Sequence, residues 1–177
     1  YDSLPASQQA LMRRLLLRLV EVGDKTVTRR RVERTELRFG DVPEGEVQAV
    51  IDRLTNREAR LLTVTAPLGD SDSSDDHQIL VTVSHEALIQ KWGRFKGWVE
   101  SSQEDLRLEA SLRRSQKEWE SSKNDTAFLL RGSRLLRARE WLEGADSPPE
   151  SLRQYIEASL EFRRAEIEED ERRTRAL

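Results

Sequence analysis

The sequence predicts a mainly α-helical protein that contains one small β-hairpin. Apolar residues recur at helical spacing through most of the 177 residues, and two short β-rich runs, 60–66 and 79–83, flank a polar loop. The order over the first hundred residues is helix, edge strand, short helix, helix, strand, loop, strand. This order matches a winged helix. We therefore predict a winged-helix domain over residues 1–100 and an α-helical domain over residues 101–177.

The first predicted helix is strongly apolar. Pro5 favours its first turn because the proline ring fixes φ at a helical value. The apolar face continues through Leu19 and Val20, and Gly23 is a typical residue just beyond a helix C-terminus. We therefore expect this helix to end near Gly23.

Three further elements precede the hairpin. Residues 25–32 are rich in β-branched side chains and arginine, which predicts an edge strand containing the basic run 29–31. A short helical turn is expected at residues 35–39. An amphipathic helix is predicted over residues 44–58, because its apolar residues follow the i, i+3, i+4, i+7 pattern. Those residues are Val47, Val50, Ile51 and Leu54.

The junction that follows strand 79–83 is the most informative stretch of the chain. An amphipathic helix is predicted to follow the strand almost directly, because helical spacing resumes there at Leu88, Trp92, Phe95 and Val99. Ser84 is a good helix N-cap, and Glu86 lies in the first turn, where a negative charge complements the helix dipole. His85 is therefore expected at the first helical position. The backbone N–H groups of a helix N-terminus bind anions, and an imidazole adds one more donor.

Two interpretations of His85 follow from this position. In the functional one its imidazole donates a hydrogen bond to a phosphate. In the structural one it only packs or caps the junction between strand and helix.

The second half of the chain predicts three helices. The first carries Leu108, Leu112 and Trp119 on one face and is followed by a polar loop at 121–126. The second spans 128–142 and contains Gly132, which we expect to permit close packing. Ser147-Pro148-Pro149-Glu150 marks the start of the third. Beyond Phe162 the chain is almost entirely charged, so a solvated or fraying helix is expected.

Composition excludes several classes of protein. The net charge is −3, so no overall positive field attracts nucleic acid or an acidic membrane. The chain has no cysteine, which excludes disulfides and thiolate metal sites and fits a cytoplasmic location. No apolar run approaches the roughly 20 residues that span a bilayer, so no membrane association is expected. The chain begins at Tyr1 without an initiator Met, and we expect it to be part of a longer protein.

Catalytic motifs are absent from the sequence. Neither GxxxxGK[ST] nor GxGxxG occurs, and with two histidines and no HExxH there is no set of zinc ligands. His77 lies in an acidic loop with Asp70, Asp72, Asp75 and Asp76, which is either a solvated loop or a weak cation site. We therefore expect no enzymatic activity and no resident cofactor or metal in this chain.

DNA binding is the main alternative function, because winged helices often bind DNA. Residues 44–58 would be the reading helix, and they carry four acidic and two basic side chains, a net charge of −4 + 2 = −2. The loop 67–77 would be the wing, and it has four aspartates and no Lys or Arg. Both elements would repel phosphates, so no DNA partner is expected. A plain helical interaction scaffold is the third alternative.

The stretch Val83-Ser84-His85-Glu86-Ala87-Leu88-Ile89 resembles the Met-His-Asp-Leu-Leu signature of STAND NTPases. Further stretches are similar to the bacterial novel STAND NTPases that often carry WD-repeat propellers, in an order and spacing that extend from about residue 8 to 165. They are His85-Glu86-Ala87-Leu88-Ile89 with Trp92, Phe95 and Gly97-Trp98, then Asp105-Leu106-Arg107-Leu108, Glu118-Trp119, and Leu129-Leu130-Arg131-Gly132 with Leu135, Ala138 and Trp141-Leu142.

The resemblance implies a regulatory function. In that family the winged helix packs on an ATPase module, and the histidine of the motif contacts the β-phosphate of bound ADP in the inactive state. His85 would make this contact, with Ser84 in the place of Met and Glu86 in the place of Asp. ADP or ATP with Mg²⁺ would bind mainly in an NTPase domain outside this chain. The helices after residue 100 would then connect this switch to a C-terminal sensor, often a propeller, and the active protein would form a homo-oligomer.

Overall fold

A computed structural model describes residues 4–23, 26–66, 79–145 and 147–175 of the chain. The described residues form seven α-helices and five short strands, so the predicted mainly helical class is confirmed. The chain separates into two compact units, Tyr1–Arg107 and Leu108–Leu177, and each unit has its own apolar core. The domain boundary after residue 100 stays a prediction, because compactness does not show that a unit folds alone.

The first unit contains most of the secondary-structure elements. They are α1 (Ala6–Arg18), β1 (Val20–Val22), β2 (Val27–Arg29), β3 (Val32–Glu33), α2 (Glu44–Thr55), β4 (Leu62–Thr65), β5 (Leu80–Val83), α3 (Ala87–Lys91) and α4 (Gly93–Ser101). A 3₁₀ turn at Arg34–Leu37 follows β3. The helix α5 (Gln103–Ser121) begins in the first unit and continues into the second.

Two small antiparallel sheets hold the strands of the first unit. One is the β1–β2 hairpin, and the other has the order β3-β5-β4. In the three-stranded sheet Val81 lies opposite Val32 on one side and Val64 on the other. The predicted pairing of runs 60–66 and 79–83 is therefore confirmed. The loop between them, including His77 and its four aspartates, lies outside the described residues.

The amphipathic pattern of α2 is confirmed by its burial. Its four apolar residues at helical spacing are all buried, and Ile51 is among the most fully buried side chains. The helix ends at Thr55, three residues earlier than predicted. Beyond it the Asn56 side-chain oxygen accepts the N–H groups of Glu58 and Ala59, which gives these groups partners outside the helix.

The predicted end of the first helix near Gly23 is wrong. The helix α1 ends at Arg18, and Val20–Val22 form β1. The apolar run does not reveal this change, because Leu19, Val20 and Val22 are buried in either geometry. The pairing of β1 with β2 decides it, since Val20 lies opposite Arg29 and Val22 opposite Val27.

The core of the second unit is formed by α5, α6 (Gly132–Gly144) and α7 (Glu150–Arg175). Tyr155 lies fully buried at its centre, and its ring centroid is 5.4 Å from that of Trp119. The Tyr155 hydroxyl donates to the Phe128 carbonyl at 2.8 Å. The buried Ser159 hydroxyl accepts the Leu130 N–H at 3.1 Å and donates to the Tyr155 carbonyl. These bonds attach the loop before α6 to α7.

Two predictions about α6 are wrong. The helix begins at Gly132 and not at residue 128, since Thr126–Phe128 form a separate 3₁₀ turn. Gly132 does not serve close packing either, because a Cβ built there would have nothing within 4 Å. Its φ of +55° is the reason for glycine, because side chains disfavour this left-handed conformation.

Gly132→Ala is therefore expected to destabilise the protein by about 1–2 kcal/mol, the cost of placing a Cβ at positive φ. Gly144→Ala at the other end of α6 is the matched control. That position has ordinary φ and open space, so the change should be neutral or slightly stabilising. Urea denaturation of both variants measures the difference, and equal midpoints would contradict the backbone explanation.

The last turns of α7 differ from its first turns in their exposure to solvent. One face of the first turns is buried, through Leu152, Tyr155, Ile156 and Ser159, whereas almost every residue after Phe162 is exposed. Ion pairs at i, i+4 spacing line this exposed part. They join Glu168 to Arg172, Glu169 to Arg173 and Glu171 to Arg175. The predicted solvated helix is confirmed as far as Arg175.

Among the described residues, no helix is both long enough and apolar enough to cross a bilayer.

Candidate functional site

The candidate site is the junction between β5 and α3, where the backbone of Ser84 is fixed from two directions. Its N–H donates to the Leu61 carbonyl at 2.9 Å, and its hydroxyl accepts the Thr63 hydroxyl at 3.1 Å. Both partners lie beside or in the neighbouring strand β4. From the other direction, the Arg29 guanidinium donates to the Ser84 carbonyl at 3.0 Å. Ser84 is thereby held rigidly between two strands.

The helix after the junction begins later than predicted. It starts at Ala87, its N-cap is Glu86, and no side chain caps it. Ser84 is therefore not the N-cap, and His85 is not at the first helical position. The Ser84 hydroxyl accepts the Thr63 hydroxyl of the sheet and caps no helix N–H. Since α3 has only five residues, the helix dipole contributes little to an anion site here.

His85 is exposed and lies directly beside the anchored Ser84. Its carbonyl accepts the Leu88 N–H at 2.9 Å, which closes a turn and fixes the backbone on both sides of the histidine. Four residues after His85, Ile89 is almost fully buried. The imidazole therefore projects from a fixed backbone at the surface of the first unit, where it is available as a hydrogen-bond donor.

The single amphipathic helix predicted to run from the junction to Val99 is wrong. Trp92 has extended backbone angles, φ −85° and ψ 97°, and separates α3 from α4. Its ring makes edge contacts with Phe95 and Trp98, at centroid distances of 6.0 and 5.8 Å. Edge-to-face contacts of this kind add to the energy of burial. This aromatic cluster stabilises the segment immediately behind His85.

Arg29 helps to hold the junction in place, and its role was not predicted from the sequence. The basic run 29–31 was expected to lie in an edge strand, and its members have different roles. Arg29 reaches the carbonyls of Val83 and Ser84, at 3.4 and 3.0 Å. Arg30 pairs with Glu36 at 2.5 Å. Contacts between residues 55 positions apart have no local sequence signal, and only the tertiary structure shows them.

The exposed face of α2, the presumed reading helix, is acidic in the structure as it is in the sequence. Glu44, Glu46 and Asp52 are exposed there, and Arg53 is the basic residue in its last turn. Within the part of the chain that the structure describes, no three His, Cys, Asp or Glu side chains are grouped so that they could hold a metal ion.

Comparison with known families gives one match. A family model described as Novel STAND NTPase 1 matches residues 1–127, which is more than two thirds of the chain and includes the junction at His85. No curated protein and no solved structure matches the chain.

Proposed function

Because the chain belongs to the novel STAND NTPase 1 family, we propose that it is a regulatory segment of a STAND-type signal-transduction NTPase. Its first unit acts as a winged-helix switch that holds the ADP-bound inactive state, and its second unit links the NTPase domain to a C-terminal sensor. The family match over residues 1–127 carries this proposal, because it spans the switch and the candidate histidine together.

The arrangement of the first unit supports the winged-helix assignment. Helix α2 precedes the β4–β5 hairpin, and β3 completes a three-stranded antiparallel sheet with the order β3-β5-β4. This is the order of elements that a winged helix requires. The acidic face of α2 makes contact with DNA unfavourable, so the domain is proposed to bind a protein surface, the NTPase module of the same polypeptide.

Within this proposal, the His85 imidazole donates a hydrogen bond to the β-phosphate of ADP, and Ser84 holds the backbone beside it. The rigid anchoring of Ser84 is what the proposed contact needs, because a preorganised donor loses little entropy on binding. Nucleotide and Mg²⁺ bind mainly in the NTPase domain, so this chain performs no chemistry of its own. The resemblance to STAND NTPases further implies a homo-oligomer on activation, a C-terminal sensor that is often a WD-repeat propeller, and a role in bacterial defence in the cytoplasm.

A thiol placed at position 85 tests whether this position approaches the nucleotide. His85→Cys adds a thiol to a chain that otherwise has none, and alkylation at that site in the complete NTPase is followed by mass spectrometry. Bound ADP is expected to slow alkylation at least about tenfold, because a group within hydrogen-bonding distance of phosphate is covered.

Gln90→Cys provides the matched control, since Gln90 is also exposed and lies on α3. Its alkylation should not depend on ADP. In the separate 177-residue chain neither thiol should respond to ADP, since the main pocket lies elsewhere. Equal rates at position 85 with and without ADP in the complete protein would falsify the proposed contact.

DNA binding gives a separate prediction. At physiological salt the chain is expected to leave duplex DNA unshifted at sub-micromolar concentrations, because the exposed face of α2 carries Glu44, Glu46 and Asp52. A gel shift at two salt concentrations measures this. A sub-micromolar affinity that weakens steeply with added salt would instead support the transcription-regulator alternative.

A further inference from the structure

The Arg29 guanidinium lies against the peptide bond that joins Ser84 to His85. Its Nη1 donates to the Ser84 carbonyl at 3.0 Å and to the Val83 carbonyl at 3.4 Å. Both bonds use the same nitrogen. Among the described residues, none accepts a hydrogen bond from Nε or Nη2 of Arg29, and no carboxylate pairs with it. One edge of the guanidinium therefore braces the junction, and the other is left for a ligand.

The remaining edge has the geometry that binds oxyanions. In an arginine the Nε–H and Nη2–H groups are parallel and can bind two oxygens of one phosphate or carboxylate. The Arg29 side chain is exposed, so such a group can approach it from solvent. The two bonds of Nη1 meanwhile keep the positive charge beside the backbone of His85.

The backbone of Arg29 is also held in place. Arg29 lies opposite Val20 in the β1–β2 hairpin, and the next N–H, that of Arg30, donates to the Leu19 carbonyl at 2.7 Å. Leu19 and Val20 are buried. Arg29 is thus fixed at its backbone by the hairpin and at its guanidinium by the junction. A donor that is ordered before binding loses little entropy when its ligand arrives.

The charge of the junction gives Arg29 a further importance. With histidine counted as uncharged, Glu86 gives residues 84–88 a net charge of −1, which repels a phosphate. Arg29 brings the net charge of the junction to zero. Glu86 and Arg29 form no ion pair with each other in the described part of the chain, so the positive charge remains available to a ligand.

We propose that Arg29 binds a phosphate group of the nucleotide through its Nε and Nη2, next to the contact of the His85 imidazole. This inference rests on the proposed function, because the NTPase domain brings the nucleotide to the junction. Two donors from distant parts of the chain then bind the phosphates together. Arg29 supplies the positive charge, and His85 supplies a hydrogen bond.

A double-mutant cycle in the complete NTPase separates a direct contact from mere positioning of His85. The variants are Arg29→Ala, His85→Leu and the two combined, and release of fluorescent ADP is measured under stopped flow. A direct contact predicts that Arg29→Ala speeds release at least about tenfold, and does so again in the His85→Leu background. A residue that only positions the imidazole would have no further effect once the imidazole is gone.

Arg31→Ala is the matched control. It removes the same charge from the same basic run, and Arg31 is exposed and makes no hydrogen bond to the described residues Val83 and Ser84. This variant should leave ADP release unchanged.

Arg29→Lys guards against loss of the fold. It retains a positive charge and a donor for the Ser84 carbonyl, but it has no pair of parallel N–H groups. It should therefore still speed ADP release. The melting temperature of each variant, measured without nucleotide, verifies that the protein remains folded.

Each outcome decides between the roles of Arg29. Faster release with Arg29→Ala alone, but not in the His85→Leu background, would overturn the phosphate contact and leave Arg29 as a positioning residue. An unchanged rate for Arg29→Ala beside a raised rate for His85→Leu would overturn this inference and leave the proposed function standing. Unchanged rates for both would overturn both. An unaltered rate with Arg29→Lys would overturn binding through Nε and Nη2.

Discussion

Replacing His85 with Leu is expected to increase the rate at which the complete NTPase releases ADP roughly 10- to 150-fold. The imidazole is proposed to make a charge-assisted hydrogen bond to the β-phosphate in the closed state, which an open state lacks. Such a bond contributes about 1.5–3 kcal/mol, and about 1.4 kcal/mol corresponds to a factor of ten. Release of fluorescent ADP under stopped flow measures the rate, and the same variant should be active without added ligand.

Protein stability and ADP release are expected to respond differently to substitution at position 85. Because His85 is exposed, His85→Leu should change the melting temperature of the 177-residue chain very little. Gln90→Leu introduces the same side chain at another exposed position of α3 and should leave ADP release unchanged. His85→Gln retains a donor and should recover part of the slow release. An unchanged release rate for His85→Leu in a folded protein would remove His85 from the site.

Truncating Tyr155 to Ala is expected to reduce the free energy of unfolding by about 3–5 kcal/mol, the range for an aromatic residue removed from a packed core. The side chain is fully buried against Trp119, and its hydroxyl holds the Phe128 carbonyl. A loss of that size is a large part of the about 5–15 kcal/mol that stabilises a domain. Urea denaturation followed by tryptophan fluorescence measures it.

Tyr155→Phe separates the contribution of the hydroxyl to stability from that of the ring. It keeps the packing and removes one hydrogen bond, so the expected loss is about 0.5–1.5 kcal/mol. Burial raises the pKa of Tyr155, partly offset by nearby Arg134. The stability that this shift contributes is fully present below the unfolded pKa of about 10 and is lost as the pH rises through the folded pKa. The phenylalanine variant should lack this alkaline loss, and an identical pH profile would contradict it.

Periodicity in the sequence was sufficient where one face of an element is buried and the other is not. The helix α2 shows this, since its apolar spacing predicted every buried position. Periodicity failed where the backbone conformation of an apolar run changes while its side chains stay apolar. At Leu19 the chain leaves α1, and at Trp92 it leaves α3, yet the buried side continues in both cases. Strand pairing and ring packing determine these ends, and neither leaves a local pattern.

The candidate site was predictable in part for the same reason. A histidine just after the last strand of a hairpin is visible in the sequence, and the structure places it there. Its supports were not visible, because Ser84 is held by Thr63 and Arg29 from distant parts of the chain. The burial of Arg34 beside the Gln48 side chain was also hidden. Nothing in a sequence distinguishes a buried arginine with an amide partner from an exposed one.

The helix α7 gives the second unit a mechanical property. At 1.5 Å per residue its 26 residues extend about 39 Å, and the ion pairs at i, i+4 spacing stiffen the half that has no core to pack on. The direction of this exposed half is therefore set by the buried turns around Tyr155. Each residue also advances the helix by about 100°, so the length of this exposed half sets an angle as well as a distance. Each residue added to or removed from this half would therefore change both the position and the orientation of Arg175.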